Sequence, residues 1–448
     1  MLLVRPPRRD HRDAGLSVPP LGLAYLAGEL RAAGRPVEIL DAYALGWSWQ
    51  RFEAEIARRR PGVLGLGTMT PVSDTAYRAI RLARPHAGTI VLGGPHATAL
   101  EHQVLQDCPE LDHGVAGEAE ETLLPYLDWV EQGAAGAPPE GVIARGFDLV
   151  EHSPQRRVEE IARPARDLLP TQAYRYLMAT RPGFATMLTS RGCPFRCSFC
   201  DKSVSGSSWR ARPAEDVVDE MQALVAAGVG FVNLYDDNFT LHRRRVVQIC
   251  EEILRRGLQL EWKCEGRVDG VDYELLRLMR RAGCRVVAYG VESGNASTLE
   301  LLRKDVSLER ARRAFADTRA AGLRSLAYVI LGAPGEGPEE VRRSVAFVRD
   351  ELGADYVQFS SLVALPGTPL FEQHGHSADV RNPLDGDLSR KTVTDLPAEQ
   401  LDALMKLAWR SFYLRPSALR RLAGDAVASG SWREAARLGT AMARWTLS

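Results

Sequence analysis

Twice along this chain short β-rich runs alternate with amphipathic helical stretches, and that alternation limits the fold more than any other feature. Over residues 1–135 the strand-like runs are 2–4, 37–41, 63–68, 89–92 and 113–116. Apolar spacing predicts helices between them, over 21–33, 49–60, 74–84, 97–106 and 118–131. Strands followed by helices through compact loops argue a doubly wound parallel sheet. From residue 182 the alternation resumes in longer units, with strands near 184–190, 231–236, 260–266, 285–291, 324–331 and 356–363. Units of this kind predict a partial (β/α)6 barrel over 182–370, with its chemistry at the carboxyl ends of the strands. Residues 136–181 are expected to form a connector containing a hairpin of 142–144 with 147–151. Residues 371–448 form a helical C-terminal domain, its helices near 398–414, 416–429 and 432–446. The fold class is α/β with a helical C-terminal region.

The first strand of the second block runs into Thr189-Ser190-Arg191-Gly192-Cys193-Pro194-Phe195-Arg196-Cys197-Ser198-Phe199-Cys200. The chain has 7 cysteines, and Cys193, Cys197 and Cys200 stand together at C-x3-C-x2-C spacing while Cys108, Cys250, Cys264 and Cys284 are scattered. Cysteine thiolates hold iron–sulfur cubes, and three on one loop leave one iron open to a chelating ligand. A zinc knot needs a fourth ligand and normally a second ligand pair, which the sequence lacks. A disulfide reading fails on the odd number of clustered thiols. Cys264 and Cys284, in apolar strand-flanking settings, are expected to be buried structural thiols.

Charge and hydropathy exclude several partners. Basic and acidic residues balance at 57 each, so nothing draws the chain as a whole toward nucleic acid or an anionic membrane. The apolar runs are too short to span a bilayer, and the N-terminal Met1–Arg9 stretch reverses the charge order of a signal peptide. A cytoplasmic, monomeric protein is expected, with no membrane contact.

In the first block, glycines cluster at strand ends: Gly65-Leu66-Gly67-Thr68-Met69-Thr70, then Gly93-Gly94-Pro95-His96, then Gly117-Glu118. Glycine lets backbone approach a large flat ligand closely. No phosphate-loop motif is present. With Ser17-Val18-Pro19-Pro20-Leu21-Gly22-Leu23 ahead of them and the three-cysteine loop behind, these motifs resemble the radical S-adenosylmethionine (SAM) enzymes that carry a cobalamin (B12)-binding domain. This subfamily includes the anaerobic magnesium-porphyrin cyclase and class B methyltransferases.

The resemblance implies a Rossmann-like cobalamin domain, a [4Fe–4S] cluster on Cys193, Cys197 and Cys200, and SAM chelated at the open iron. It places Phe199 at the family's aromatic position. Asp236 and Asp237 are expected at the methionine amine, Arg267 at the carboxylate, Glu292 and Ser293 at the ribose or carboxylate, and Gly332 along adenine. Thr68, Met69 and Thr70 are expected beneath the corrin, with Gly93, Gly94, Pro95, His96, Gly117 and Glu118 as further cobalamin contacts. The D-x-H-x-x-G motif of cobalamin mutases is absent, so no histidine is expected on cobalt, and His96 is read as structural or as a corrin contact. Ala119 stands where the subfamily more often has glycine.

The implied activity is methylation of an unactivated carbon of a small molecule or natural product, through methylcobalamin and a 5′-deoxyadenosyl radical. An external donor such as flavodoxin or ferredoxin supplies the electron. Cyclisation or rearrangement without net methylation is the alternative. A methylthiotransferase would need cluster cysteines in the first block, which has only Cys108; a non-catalytic cobalamin-binding protein has no use for an intact cysteine loop.

Overall fold

The computed structural model describes residues 1–9, 17–147, 150, 155–375 and 392–447. The first sheet contains β1 (Leu2–Arg5), β2 (Glu38–Asp41), β3 (Val63–Gly67), β4 (Thr89–Gly93), β5 (His113–Val115) and β6 (Val142–Ala144). Its order is β2-β1-β3-β4-β5-β6, parallel throughout except for the antiparallel β5–β6 pair. Strand order reverses between β1 and β3, the position at which such sheets bind ligands. Leu3, Val4, Leu64, Leu66, Ile90 and Leu92 are buried, as expected where helices cover both faces of a parallel sheet.

The second sheet contains β7 (Phe184–Met187), β10 (Phe231–Leu234), β11 (Glu261–Gly266), β12 (Cys284–Glu292), β13 (Arg324–Leu331) and β14 (Tyr356–Ser361). These strands pair in sequence order, all parallel, and β7 and β14 are the two ends of an open half-barrel. Between β7 and β10 a small antiparallel ribbon, β8 (Ser190–Arg191) with β9 (Arg210–Ala211), brackets the cysteine loop. Helix starts follow local chemistry. The side chains of Ser48, Asp272 and Ser307 accept hydrogen bonds from Arg51, Leu275 and Arg310 N–H respectively, satisfying donors that a helix leaves open. Cys264 and Cys284 are fully buried in the layer between sheet and helices.

The segment Val142–Ala144 pairs antiparallel with β5 in the first sheet, and residues 148, 149 and 151 of its expected hairpin partner lie outside the described residues. Two expectations are corrected. The helix expected over 97–106 is two, Pro95–Leu100 and Gln103–Asp107, broken where Glu101 adopts φ +47°. The helix expected from 118 begins at Leu123, because Glu118 and Glu120 are turned toward the second domain.

Helices Ala398–Tyr413, Pro416–Ala428 and Trp432–Leu447 close the β14 side. Trp409 and Phe412 pack on Phe359, and the Tyr413 hydroxyl donates to Val357 O at 2.6 Å. Asp425 accepts from Arg324 and Tyr356. No helix among the described residues is long and apolar enough to cross a membrane.

Candidate active site

The cysteine loop is fixed at both flanks. On the entry side, Asp236 Oδ1 accepts from Thr189 N at 2.6 Å, and its Oδ2 accepts from the hydroxyls of Thr189 and Ser190. The adjacent Asp237 accepts from Gly192 N at 2.8 Å. Arg245, buried, donates to Thr189 O at 2.7 Å. On the exit side, Ser198 N donates to Leu302 O at 3.0 Å, and Leu370 N to Ser198 O at 2.9 Å. Phe199 packs with Leu302, Ile330, Ala333 and Leu362. The Arg267 guanidinium lies 3.7 Å from the centre of the Phe195 ring.

All three thiols are free. Burial pushes the Cys200 thiol up to about 11 and the Cys197 thiol above its ordinary range. The three thiols stand on one short loop, from Cys193 to Cys200. Lys304 and Arg267 oppose the rise at Cys197, and Lys202 opposes it at Cys200. Three reduced thiols on one loop, with cations acting on them, fit a cube bound by cysteine sulfur. Among the described residues no three Cys, His, Asp or Glu side chains gather as ligands of a single ion would; a cube has its irons at separate corners. Thiols that hold their protons must release them on binding iron, so cluster loading is expected to improve from pH 7 to 8.5.

The other expected SAM contacts gather at the carboxyl ends of the strands but differ in freedom. Both oxygens of Asp236 are engaged in holding the loop. Asp237, whose carboxyl is raised by burial, borders the cysteines. Arg267 donates to Asp269 and to the carbonyls of Lys304 and Asp305. Glu292 Oε1 accepts from Lys304 Nζ at 2.7 Å. Ser293 is fully buried, bonding Glu336 and Ser344. Gly332 N donates to Glu336 Oε2 at 3.0 Å, so the strand-end loops of β12 and β13 share one buried carboxylate.

In the first domain the β3 and β4 ends form one unit. Thr68 N donates to Gly93 O and His96 N to Thr68 O. Gly94 has φ +93°, and a Cβ there would lie 2.8 Å from Thr68 O; only glycine fits. Pro95 opens the helix that follows. His96 is fully buried, Nε2 2.9 Å from the Tyr77 hydroxyl and Nδ1 3.1 Å from Thr70 Oγ1. Met69, by contrast, is 57% exposed. Gly117 N donates to Thr98 Oγ1.

Burial lowers the His96 pKa to about 4. The unfolded chain therefore binds one more proton than the folded one between about 4 and the ordinary value near 6.5, so stability is lost as pH falls through that window. A shift of this size predicts a loss of up to about 3 kcal/mol between pH 7 and 4. His96→Gln should flatten that part of the stability–pH curve, measured by urea unfolding.

The two domains meet at these ends. Arg191, one residue before Gly192-Cys193, pairs with Glu120 at 2.6 Å and Glu118 at 3.2 Å, and Arg210 also pairs with Glu118. Beside the cysteine loop, a Cβ on Gly367 would lie 3.0 Å from Asp201 Oδ1 and 3.2 Å from Ala99 Cβ. The helix after Gly93–His96, the residue after Cys200 and the loop after β14 thus touch. Sequence reasoning placed Glu118 at cobalamin and missed Arg191, Arg210, Glu120 and Lys304, whose partners are distant in the chain.

A doubly wound domain thus meets, through its strand-end loops, a half-barrel bearing three free thiols. Comparison with known proteins agrees. Residues 12–125 match the B12 binding domain and residues 187–348 the Radical SAM superfamily. An uncharacterized methyltransferase of Pyrococcus horikoshii is 32% identical over 94% of this chain and 93% of its own. The anaerobic magnesium-protoporphyrin IX monomethyl ester cyclase of Rubrivivax gelatinosus is 31% identical over 81% of this chain and 67% of its own. The fold is also that of the radical SAM methyltransferase TsrM from Kitasatospora setae, solved with cobalamin and a [4Fe–4S] cluster bound (TM-score 0.66, 23% identity, 84% of this chain and 74% of that one). The chain belongs to the family of radical SAM enzymes with a B12-binding domain. Its cofactors are a [4Fe–4S] cluster, SAM and cobalamin.

Proposed function

We propose that this protein is a cobalamin-dependent radical SAM methyltransferase that methylates an unactivated carbon of a small-molecule substrate. One observation carries the reading: the strand ends of both domains converge, with Ala99 and Asp201 brought together at Gly367. A group bound over Met69 and one bound at the cysteine loop would then face one another, and reactants held in close, fixed geometry lose most of their encounter cost. Bound together, the three cofactors supply a methyl donor and a radical able to remove hydrogen from carbon.

The chain's own part is orientation and exclusion. Cys193, Cys197 and Cys200 hold the cluster with one iron left for SAM, and Asp237 and Glu292 stand as acceptors for SAM's amine and ribose. Asp236 serves by fixing Thr189 and Ser190, and Arg267 by clamping Phe195. Met69 would contact the corrin, and His96, bonded at both nitrogens by Tyr77 and Thr70, would not be free to bind a metal. The protein works as a monomer in the reducing cytoplasm, fed by a flavodoxin- or ferredoxin-class donor.

Relatedness to both methyltransferases and the porphyrin cyclase leaves cyclisation as the second reading. Anaerobic reactions of the reconstituted protein with methyl-labelled SAM and candidate substrates, analysed by mass spectrometry, separate them. Methyl transfer gives a product heavier by the labelled methyl; a cyclised or isomerised product without label would overturn it.

A further inference from the structure

Beside the cysteine loop lies a buried ion pair whose surroundings are held at evident cost. Lys304 Nζ donates to Glu292 Oε1 at 2.7 Å, both side chains less than a tenth exposed. Glu292 has φ +63°, and the residues on either side of Lys304, Arg303 and Asp305, have φ +50° and +49°. Left-handed backbone at residues bearing a Cβ is strained, and such strain persists only where its surroundings impose it. The pair packs against Gly290, where a Cβ would lie 2.3 Å from Glu292 Oε1 and 2.5 Å from Lys304 Nζ and would displace both side-chain ends.

The pair is also bolted to the loop on both sides. Ser198, next to Cys197, bonds the carbonyls of Leu301 and Leu302. Arg267, stacked over Phe195, donates to the carbonyls of Lys304 and Asp305. Lys304 is among the charges acting on the Cys197 thiol, with Arg267 and Glu292. A buried ion pair is a poor device for stability alone, since apolar side chains of similar volume do as well. A fixed cation near a thiolate-bound cluster does have an electrostatic consequence, because net charge and burial set cluster potentials.

We propose that Lys304 is a positioning residue of the cluster site: its buried ammonium holds Glu292 in place and raises the reduction potential of the cluster on Cys193, Cys197 and Cys200. The proposal rests on the reading of those cysteines as the cluster ligands. The step concerned is transfer of one electron from an external ferredoxin- or flavodoxin-class donor. The donor is oxidised and the cluster reduced, and Lys304 neither gains nor loses a proton. The added negative charge is stabilised by the ammonium.

Spectroelectrochemical titration of the anaerobically reconstituted holoprotein, without SAM and at fixed pH, tests it. Lys304→Met should lower the ratio of reduced to oxidised cluster at a given potential by about tenfold, which is about 59 mV for a one-electron couple. Lys304→Arg should stay close to the parent protein. Glu292→Gln, which removes the opposing negative charge, should move the ratio the other way. Iron and sulfide content report whether each variant keeps its cluster. A cluster-loaded Lys304→Met protein with an unchanged ratio would overturn the proposal. If that variant fails to load, an unchanged or lowered ratio in Glu292→Gln would do so. Failure of the parent protein to take up a cluster at all would instead refute the reading of the cysteine loop.

Discussion

Changing any one of Cys193, Cys197 and Cys200 to Ala is expected to reduce 5′-deoxyadenosine formation from SAM to background in anaerobically reconstituted protein. The three cysteines share one loop and have no disulfide partner, and no other thiol stands on that loop to replace one. Cys264 and Cys284 are fully buried between sheet and helices and Cys250 lies in the same core. Because enzymic accelerations commonly exceed about a million-fold, loss of the cofactor should appear as a drop of at least about 10,000-fold. Stability of the Cys193 and Cys200 variants should change little, since those two side chains are only partly buried. Chromatographic quantification of 5′-deoxyadenosine checks this, and a Cys264→Ala control should retain activity.

The second large effect is structural. Arg191→Met removes the cation that joins the first domain to the cysteine loop. It leaves Glu120 buried without its 2.6 Å partner and Glu118 with Arg210 alone. Breaking a buried pair from one side costs about 3–5 kcal/mol, because the remaining charge stays desolvated. The expected result is a loss of that size in the urea unfolding transition. Since Arg191 is next to Gly192-Cys193, iron uptake should fall as well. Glu120→Gln, which leaves Arg191 its contact with Glu118, should cost less. Equal stability of Arg191→Met and the parent protein would show that the interface is held by something else.

Much of this architecture was legible because it is local. The alternation of short strand-like runs with helical spacing separates the two sheets. The cysteine loop carries its chemistry in its spacing. What escaped depends on partners far away in the chain. Val142–Ala144 is too short to declare a sheet, and only β5 makes it an edge strand. The start of the helix expected at 118 is delayed because Glu118 and Glu120 turn toward Arg191 and Arg210, which are more than 70 residues further on. Asp236 and Asp237 are chemically alike, yet one is enclosed by Thr189 and Ser190 while the other borders the cysteines. No pattern in sequence states which carboxylate is which. Lys304 stands in Arg303-Lys304-Asp305, an ordinary charged run, and only the fold brings it to Glu292.

The central claim is that both cofactor sites serve one reaction, and product stoichiometry tests it most directly. Reduced, reconstituted protein turning over its substrate with methyl-labelled SAM should release S-adenosylhomocysteine and 5′-deoxyadenosine in equal amounts, with the label in the product. Accumulation of 5′-deoxyadenosine alone, with every labelled methyl still on methionine, would contradict it.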